Sequence, residues 1–429
     1  MNIVMLTNTY TPHVGGVARS VEAFTTEYRR RGHRVLVVAP EFNGMPEHEV
    51  DVVRIPAIQQ FNGSDFSAVL PVSGLLTDAL EAFQPDIVHA HHPYLLGMTA
   101  LRVARYRKLP LVFTHHTLYE EYVHYVPVDS PAFGRFVIEL ATRYANVCDQ
   151  VFAPSESIAE LLRQRGVTAP IEIVPTGVNI EHFAHGDGPG FRRQLAIPDE
   201  AFVVGHLGRL APEKNLRFLA EAVAAFLKMQ PNAVFLVAGK GPSEADIKAI
   251  FAREGLTKNL YMAGVLGPQQ LADAYHAMDV FAFASKSETQ GMVLTESMAA
   301  GTPVVGLDAP GVREVVKDKQ NGRLLNDETA ETFAAALQWL AALPYSERQA
   351  LKESARATAA AFSMPCSAAT ALACYEALHA RILADHSEDD AEWERVLRLI
   401  QAEWTILKGL AAAAAAALGG PPLQDRESA

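Results

Sequence analysis

The chain is poor in cysteine, lacks a long apolar run and has no excess of positive charge, and each shortage removes a class of protein. Three cysteines, Cys148, Cys366 and Cys374, cannot build a disulfide framework or a paired CxxC metal site, which fits a reducing compartment. The longest apolar run, Leu410 to Leu418, is far shorter than the roughly 20 residues of a spanning helix. The opening MNIVMLTNTY enters a strand-like run without a basic n-region, so no signal peptide is expected. Lys and Arg number 37 against 49 Asp and Glu, a net charge of −12. Nucleic acid is therefore not an expected partner, because a phosphate backbone selects a basic surface. The expected location is the cytoplasm, with any membrane contact peripheral, at the inner face of the plasma membrane.

What is present describes a globular protein. Its 429 residues suit two or three domains of roughly 150 residues each. Ile3 to Leu6, Val35 to Ala39, Val52 to Ile55, Ile87 to Ala90, Leu111 to Thr114, Gln150 to Ala153 and Ile171 to Val174 are nearly continuous apolar runs, the signature of strands buried on both faces. Helical patterns such as Ala18 to Arg31 and Ser155 to Arg165 lie between them. After a loop-like stretch from His182 to Pro189 the alternation restarts, with strands at Val203 to Leu207, Ala233 to Ala238, Leu260 to Ala263, Val280 to Ala284 and Pro303 to Leu307. The expected fold class is α/β: two doubly wound, Rossmann-like domains, 1–183 and 192–362, facing across a cleft. A helix over 365–384 is expected to pack back on the body. An extra amphipathic, alanine-rich helix over 388–418 and a tail, 419–429, complete a C-terminal helical extension. That extra helix fits packing on a domain, self-association with a partner chain, or a membrane surface, although its polar face has few cations for anionic lipid.

Three segments carry chemistry. The first strand ends in Thr7-Asn8-Thr9-Tyr10-Thr11-Pro12-His13-Val14-Gly15-Gly16, where glycines let backbone approach a ligand and a helix start offers free amides to an anion. The second domain opens with Gly205-His206-Leu207-Gly208-Arg209-Leu210-Ala211-Pro212-Glu213-Lys214-Asn215, whose cations flank a strand-to-helix turn. Two cations beside exposed amides meet the needs of a diphosphate leaving group as its charge grows. The third runs from Ser285 to Pro303. Glu288 lies on its loop and Glu296 on the following helix, too far apart to stack on one turn but placed to hold separate parts of an elongated ligand. Carboxylates grip hydroxyl pairs, and the amides of Gly291, Met292 and Val293 open the helix.

The E-x7-E spacing of Glu288 and Glu296, the GRLAPEKN segment, the AGKGP turn at Ala238 to Pro242 and the TPHVGGVARS start together resemble the large retaining glycosyltransferase family with the GT-B fold, of family 4 type. The resemblance covers residues 1 to about 380. It implies a nucleoside-diphosphate-sugar donor, with no separate cofactor, held mainly by the second domain, and an acceptor held mainly by the first. By position, Glu296 should bind ribose hydroxyls, Glu288 the sugar, and Arg209 and Lys214 the diphosphate, with Gly16 meeting the phosphate from the opposite wall. Gly239, Lys240, Gly241, Gly264 and Val265 should line the nucleotide pocket, and His116 with Thr117 should lie beside the transferring sugar. Which of His115 and His116 takes that role stays open. Thr117-Leu118-Tyr119-Glu120-Glu121-Tyr122 continues as a segment similar to that of bacterial diacylglycerol glucosyltransferases, so Tyr10, His13, Thr117, Tyr119, Glu120 and Tyr122 are the acceptor-side candidates. UDP-glucose and a membrane lipid such as diacylglycerol are the favoured substrates. A soluble or cell-wall glycan acceptor, a sugar-nucleotide epimerase or hydrolase, and a nucleotide-sugar sensor are the alternatives.

His89, His91 and His92 imitate a metal cluster, but strand alternation puts His92 opposite the other two and no dedicated carboxylate completes a site, so no metal is expected. Arg29, Arg30, Arg31 and Arg34 are expected to be a solvated helix end, with a lipid patch as the second reading.

Overall fold

The computed structural model describes residues 1–13, 15–58, 68–69, 74–120, 131–385, 401–403, 405–406, 410 and 413. It forms two compact units, Met1–Thr176 with Ser367–Ala429, and Gly177–Cys366.

In the first unit a parallel sheet is built from β1 (Asn2–Leu6), β2 (Arg34–Pro40), β3 (Val52–Ile55), β6 (Ile87–Ala90), β7 (Leu111–Thr114), β8 (Gln150–Ala153) and β9 (Ile171–Ile173). Its order is β3-β2-β1-β6-β7-β8-β9, a doubly wound arrangement that reverses between β1 and β6. A short antiparallel pair, β4 (Ala57–Ile58) and β5 (Ala68–Val69), stands apart. The helices are α1 (Gly16–Arg30), α2 (Gly74–Phe83), α3 (Leu96–Arg107), α4 (Pro131–Asn146) and α5 (Glu156–Gln164). Their buried side chains, among them Val21, Leu80, Leu101, Tyr144 and Leu162, cover the faces of the sheet. Such coverage explains why the strands read as unbroken apolar runs rather than alternating ones.

The second unit begins with α6 (Ile180–Phe183) and α7 (Gly188–Gln194). Of the stretch from His182 to Pro189, expected as a loop, His182 and Phe183 end one short helix and Gly188 and Pro189 start another, with residues 184–187 connecting them. The sequence signal was in the caps: Asn179 Oδ1 accepts the His182 amide at 3.1 Å, and Asp187 Oδ1 accepts that of Gly190 at 2.8 Å. The second sheet has β10 (Phe202–Leu207), β11 (Ala233–Ala238), β12 (Leu260–Gly264), β13 (Val280–Phe283), β14 (Val304–Leu307) and β15 (Gly322–Leu325). Its order is β12-β11-β10-β13-β14-β15, all parallel. Around it run α8 (Leu216–Met229), α9 (Glu244–Arg253), α10 (Pro268–Ala277), α11 (Met292–Ala299), α12 (Ala330–Ala341) and α13 (Tyr345–Ala361). Strand β15, a four-residue edge strand of GRLL with a cation inside it, was not expected.

Helix α14 (Met364–Asp385) returns the chain to the first unit. It is anchored there by a buried relay. Tyr28 donates its hydroxyl to that of Tyr375 at 3.4 Å, Tyr375 donates to His89 Nδ1 at 2.6 Å, and His89 Nε2 meets Thr114 Oγ1 at 2.7 Å. Since the Tyr375 hydroxyl already accepts from Tyr28, its own proton is placed for His89 Nδ1, which leaves Nε2 to donate to Thr114. The extra helix expected over 388–418 falls almost wholly outside the described residues; of those described there, Ala402, Ile406 and Ala413 are buried, and Glu403 pairs with Arg102 of α3. No described helix is long and apolar enough to cross a membrane.

The arginine run at the end of α1 is tied to its surroundings by hydrogen bonds, an ion-paired carboxylate and a ring contact. Arg30 and Arg31 both bind Glu27, whose carboxyl they hold below its usual range through hydrogen bonds. Arg29 donates to the carbonyls of Val35, Val50 and Asp51, and Arg34 lies over the Phe83 ring. One carboxylate and three carbonyls orient these side chains at the helix end, and Arg30 stays largely exposed.

Candidate functional site

Parallel strands deliver their loops to one edge of a sheet, and in the second unit those loops are stitched together by main-chain hydrogen bonds. After β10, Gly208 donates its amide to Ala238 at 3.1 Å and Leu210 donates to Lys240 at 2.9 Å; after β11, Gly239 donates to Gly264 at 2.7 Å and Ser243 to Leu210 at 2.9 Å. Gly239 is required here: at φ +127° a Cβ on it would lie 1.9 Å from the Gly208 carbonyl oxygen. Gly241, Gly264 and Val265 belong to the same set of loops, and the Val265 side chain is exposed.

The loop after β13 is pinned to the turn after β10. Ser285 and Ser287 donate their hydroxyls to the Glu213 carbonyl at 3.4 and 3.2 Å, and Lys214 Nζ lies 2.5 Å from Glu288 Oε1. Arg209 pairs with Glu213, and Lys286 with Glu328. Gly291, left-handed at φ +69°, caps α11 with no side-chain acceptor, so Met292 and Val293 open that helix beside a bare backbone turn. Glu296, on the next turn, is buried and accepts the Tyr275 hydroxyl at 2.9 Å. The structure thus gathers Arg209, Lys214, Gly239, Gly241, Val265, Glu288, Gly291, Met292, Val293 and Glu296 on the loops and helix starts beyond the carboxyl ends of β10 to β13. It also shows what the sequence concealed: Glu288 is bound to Lys214, and Glu296 to Tyr275. Tyr275 is a buried α10 residue that looks in sequence like any other apolar position.

In the first unit the loop after β1 is held by Asn8. Its main-chain amide donates to His92 Nδ1 at 3.1 Å, its side-chain amide donates to the Tyr94 carbonyl at 3.1 Å, and its Oδ1 accepts the Leu96 amide at 3.1 Å. This grip accompanies the unusual backbone of Leu95, φ 54° and ψ −109°, at the start of α3. Tyr10 is buried beneath the Arg54 guanidinium, 5.4 Å from its ring centre, and burial raises its pKa. His13 stacks on Phe42 at 5.7 Å. Gly16 is the first residue of α1, after an uncapped Gly15.

His115 and His116 leave β7 on opposite faces. His116 is half-buried; its Nε2 lies 2.9 Å from His91 Nδ1, and the rings stack at 5.2 Å. His91 in turn packs against His89 at 4.2 Å. His115 instead stands edge-on to Phe113 and Tyr119, at 5.9 and 5.7 Å, with neither ring nitrogen hydrogen-bonded. Burial lowers the pKa of His89, His92, His115 and His116 to about 3, and that of His91 well below its ordinary value. These imidazoles are neutral near pH 7. The buried Tyr119 hydroxyl has no hydrogen-bond partner, Glu120 is paired with Arg165, and Thr117 is half-buried. Tyr122 lies outside the described residues. Among those described, no group of three His, Cys, Asp or Glu side chains could hold a metal ion; His92 faces Tyr94, away from the His89–His91 pair.

Two doubly wound parallel sheets, each with its loops at the carboxyl ends of the strands, are the architecture of the GT-B fold. Residues 14–182 match Glycosyltransferase Family 4 and residues 189–358 match Glycosyl transferases group 1. The chain belongs to glycosyltransferase family 4, and is a nucleotide-sugar-dependent enzyme of this retaining hexosyltransferase family. It is 30% identical to the alpha-monoglucosyldiacylglycerol synthase of Streptococcus pneumoniae, over 82% of this chain and 81% of that one. It is also 30% identical to the GDP-mannose-dependent alpha-mannosyltransferase of Mycobacterium tuberculosis, over 89% and 98%. Among solved structures, sucrose-phosphate synthase from Thermosynechococcus elongatus superposes with a TM-score of 0.72 at 21% identity, over 89% of this chain and all of that one. Anabaena HepE in complex with UDP gives 0.71 at 20% identity, over 88% and 100%. At such identities the superpositions speak to fold alone.

Proposed function

We propose that the enzyme transfers glucose from UDP-glucose to a hydroxyl of a membrane lipid, diacylglycerol being the favoured acceptor, with retention at the anomeric carbon. The observation that carries the lipid reading is the likeness, over most of both chains, to alpha-monoglucosyldiacylglycerol synthases of two bacteria, Streptococcus pneumoniae and Acholeplasma laidlawii. The donor reading is supported by the charged loop ends of the second unit, where Arg209 and Lys214 lie.

In this reading the loops joined through Gly208, Gly239 and Gly264 receive the nucleotide, Glu296 accepts ribose hydroxyls while Tyr275 steadies its other side, and Glu288 grips the sugar. Arg209, Lys214 and the open amides at the start of α11 stabilise the β-phosphate oxygen as the glycosidic bond breaks. That oxygen takes the acceptor's proton on the same face, so no separate general base is needed. His116, neutral and oriented by His91, donates or accepts a hydrogen bond at the sugar without adding charge there. Tyr10, His13, Gly16, Thr117, Tyr119, Glu120 and Tyr122 make up the acceptor side and its phosphate-facing wall.

GDP-mannose is the second donor reading, favoured by the mannosyltransferase relative that this chain matches along 98% of its length. The test is to incubate the enzyme with labelled UDP-glucose or GDP-mannose and membrane lipid extract. Labelled glucosyldiacylglycerol is the expected product. A labelled lipid from GDP-mannose alone selects the second donor. Free epimer, free sugar, or nucleotide binding without turnover would each overturn transfer to lipid.

A further inference from the structure

The turn after β10 carries a carboxylate, Glu213 of the GRLAPEKN segment, to which the family likeness assigns no role and which the proposed reaction does not use. Glu213 lies four residues after Arg209 and is paired with it; the Glu213 side chain is 5% exposed and that of Arg209 48%. Its Oε2 is buried with no hydrogen-bond partner. A carboxylate so placed cannot turn to water, and losing the Arg209 guanidinium would leave a buried charge unmatched. The backbone holds it too, since the Glu213 carbonyl accepts both Ser285 and Ser287.

Glu288 offers a contrast. It also neutralises a cation, Lys214, but it lies on the loop between β13 and α11, and in the proposed reaction it turns to the sugar. Arg209 has five N–H donors and can hold Glu213 and a phosphate together. Lys214 is a point charge that can exchange one anion for another.

We propose that Glu213 is a positioning residue that stays bound to Arg209 throughout the cycle and, as a fixed countercharge, weakens the hold of the site on the nucleoside diphosphate product. The inference rests on the reading of Arg209 and Lys214 as the diphosphate site. Its consequence is that the site trades some affinity for faster release of product, because only transition-state binding raises turnover. Removing that buried negative charge, next to a half-exposed guanidinium, should tighten diphosphate binding by about three- to tenfold at low salt, and by less as salt screens it.

The experiment is calorimetric titration of UDP, GDP and inorganic pyrophosphate into the full-length wild type, Glu213→Gln, Arg209→Ala, Lys214→Ala and the double variant Arg209→Ala/Glu213→Gln, with circular dichroism to verify folding. Glu213→Gln should bind the preferred diphosphate about three- to tenfold more tightly, more so at low salt, and turn over more slowly where release limits the rate. The gain should persist in the Arg209→Ala background, where the carboxylate repels the diphosphate without its guanidinium partner. Unchanged or weaker binding by Glu213→Gln, with Arg209→Ala still losing affinity, overturns the countercharge. Should Glu213→Gln not fold, Glu213→Asp serves: its shorter carboxylate draws Arg209 away from the phosphate and should weaken binding, and unaltered affinity would count against the proposal. If Arg209→Ala and Lys214→Ala both bind as the wild type does, the diphosphate reading itself fails.

Discussion

Lowering the pH should unfold the first unit earlier than surface titration alone would require. His89, His92, His115 and His116 each have a pKa of about 3 in the fold, against 6.5 ordinarily, because burial disfavours the charged ring. The unfolded chain therefore binds protons that the folded chain refuses. Stability is intact above about pH 6.5 and falls as the pH drops towards 3. Going from about pH 7.5 to about pH 5.5 costs roughly 1.4 kcal/mol per imidazole, so four of them cost on the order of 5 kcal/mol. His91, shifted the same way, adds to it. Since a domain is stable by only about 5–15 kcal/mol, that loss should bring the first unit close to its midpoint. Urea melts at the two pH values, followed by circular dichroism, measure it, and NMR of the imidazole carbons assigns it. Equal or greater stability at about pH 5.5, or ring resonances that titrate near 6.5 in the folded protein, would refute the burial argument.

Three further outcomes follow from particular contacts. Tyr375→Phe removes the hydroxyl that accepts from Tyr28 and donates to His89; with both groups buried, urea unfolding should show a loss of about 2–4 kcal/mol, and α14 should exchange its amide hydrogens faster. Gly239→Ala forces a methyl onto the Gly208 carbonyl and should cut nucleotide affinity by about tenfold or more, read by calorimetry, while the far-UV spectrum stays native. Lys214→Ala and Glu296→Ala should fold and lose on the order of a hundredfold in turnover; wild-type rates in a transferase assay would remove those roles.

Much of the architecture could be read from the chain because strands buried on both faces leave unbroken apolar runs, and because helices between them restore a 3.6-residue period. The alternation gave two parallel sheets and placed the charged loops at strand ends. Short elements without that signal escaped it: β15 has an arginine in four residues, and α6 and α7 are declared by their asparagine and aspartate caps rather than by periodicity.

Sequence alone determined which chemical groups lie at each strand end, since the Gly-Arg, Gly-Lys-Gly and E-x7-E segments are local and their loops follow from the strands that precede them. Tertiary structure decided whom those groups meet. That Glu288 holds Lys214, that Tyr275 holds Glu296, that Tyr375 reaches across 286 positions to His89, and that His115 and His116 turn to different surroundings are all contacts between segments distant in the chain. Hydrogen bonds and ion pairs depend on separation in space, which no spacing along the sequence encodes until the sheets have brought the strands together.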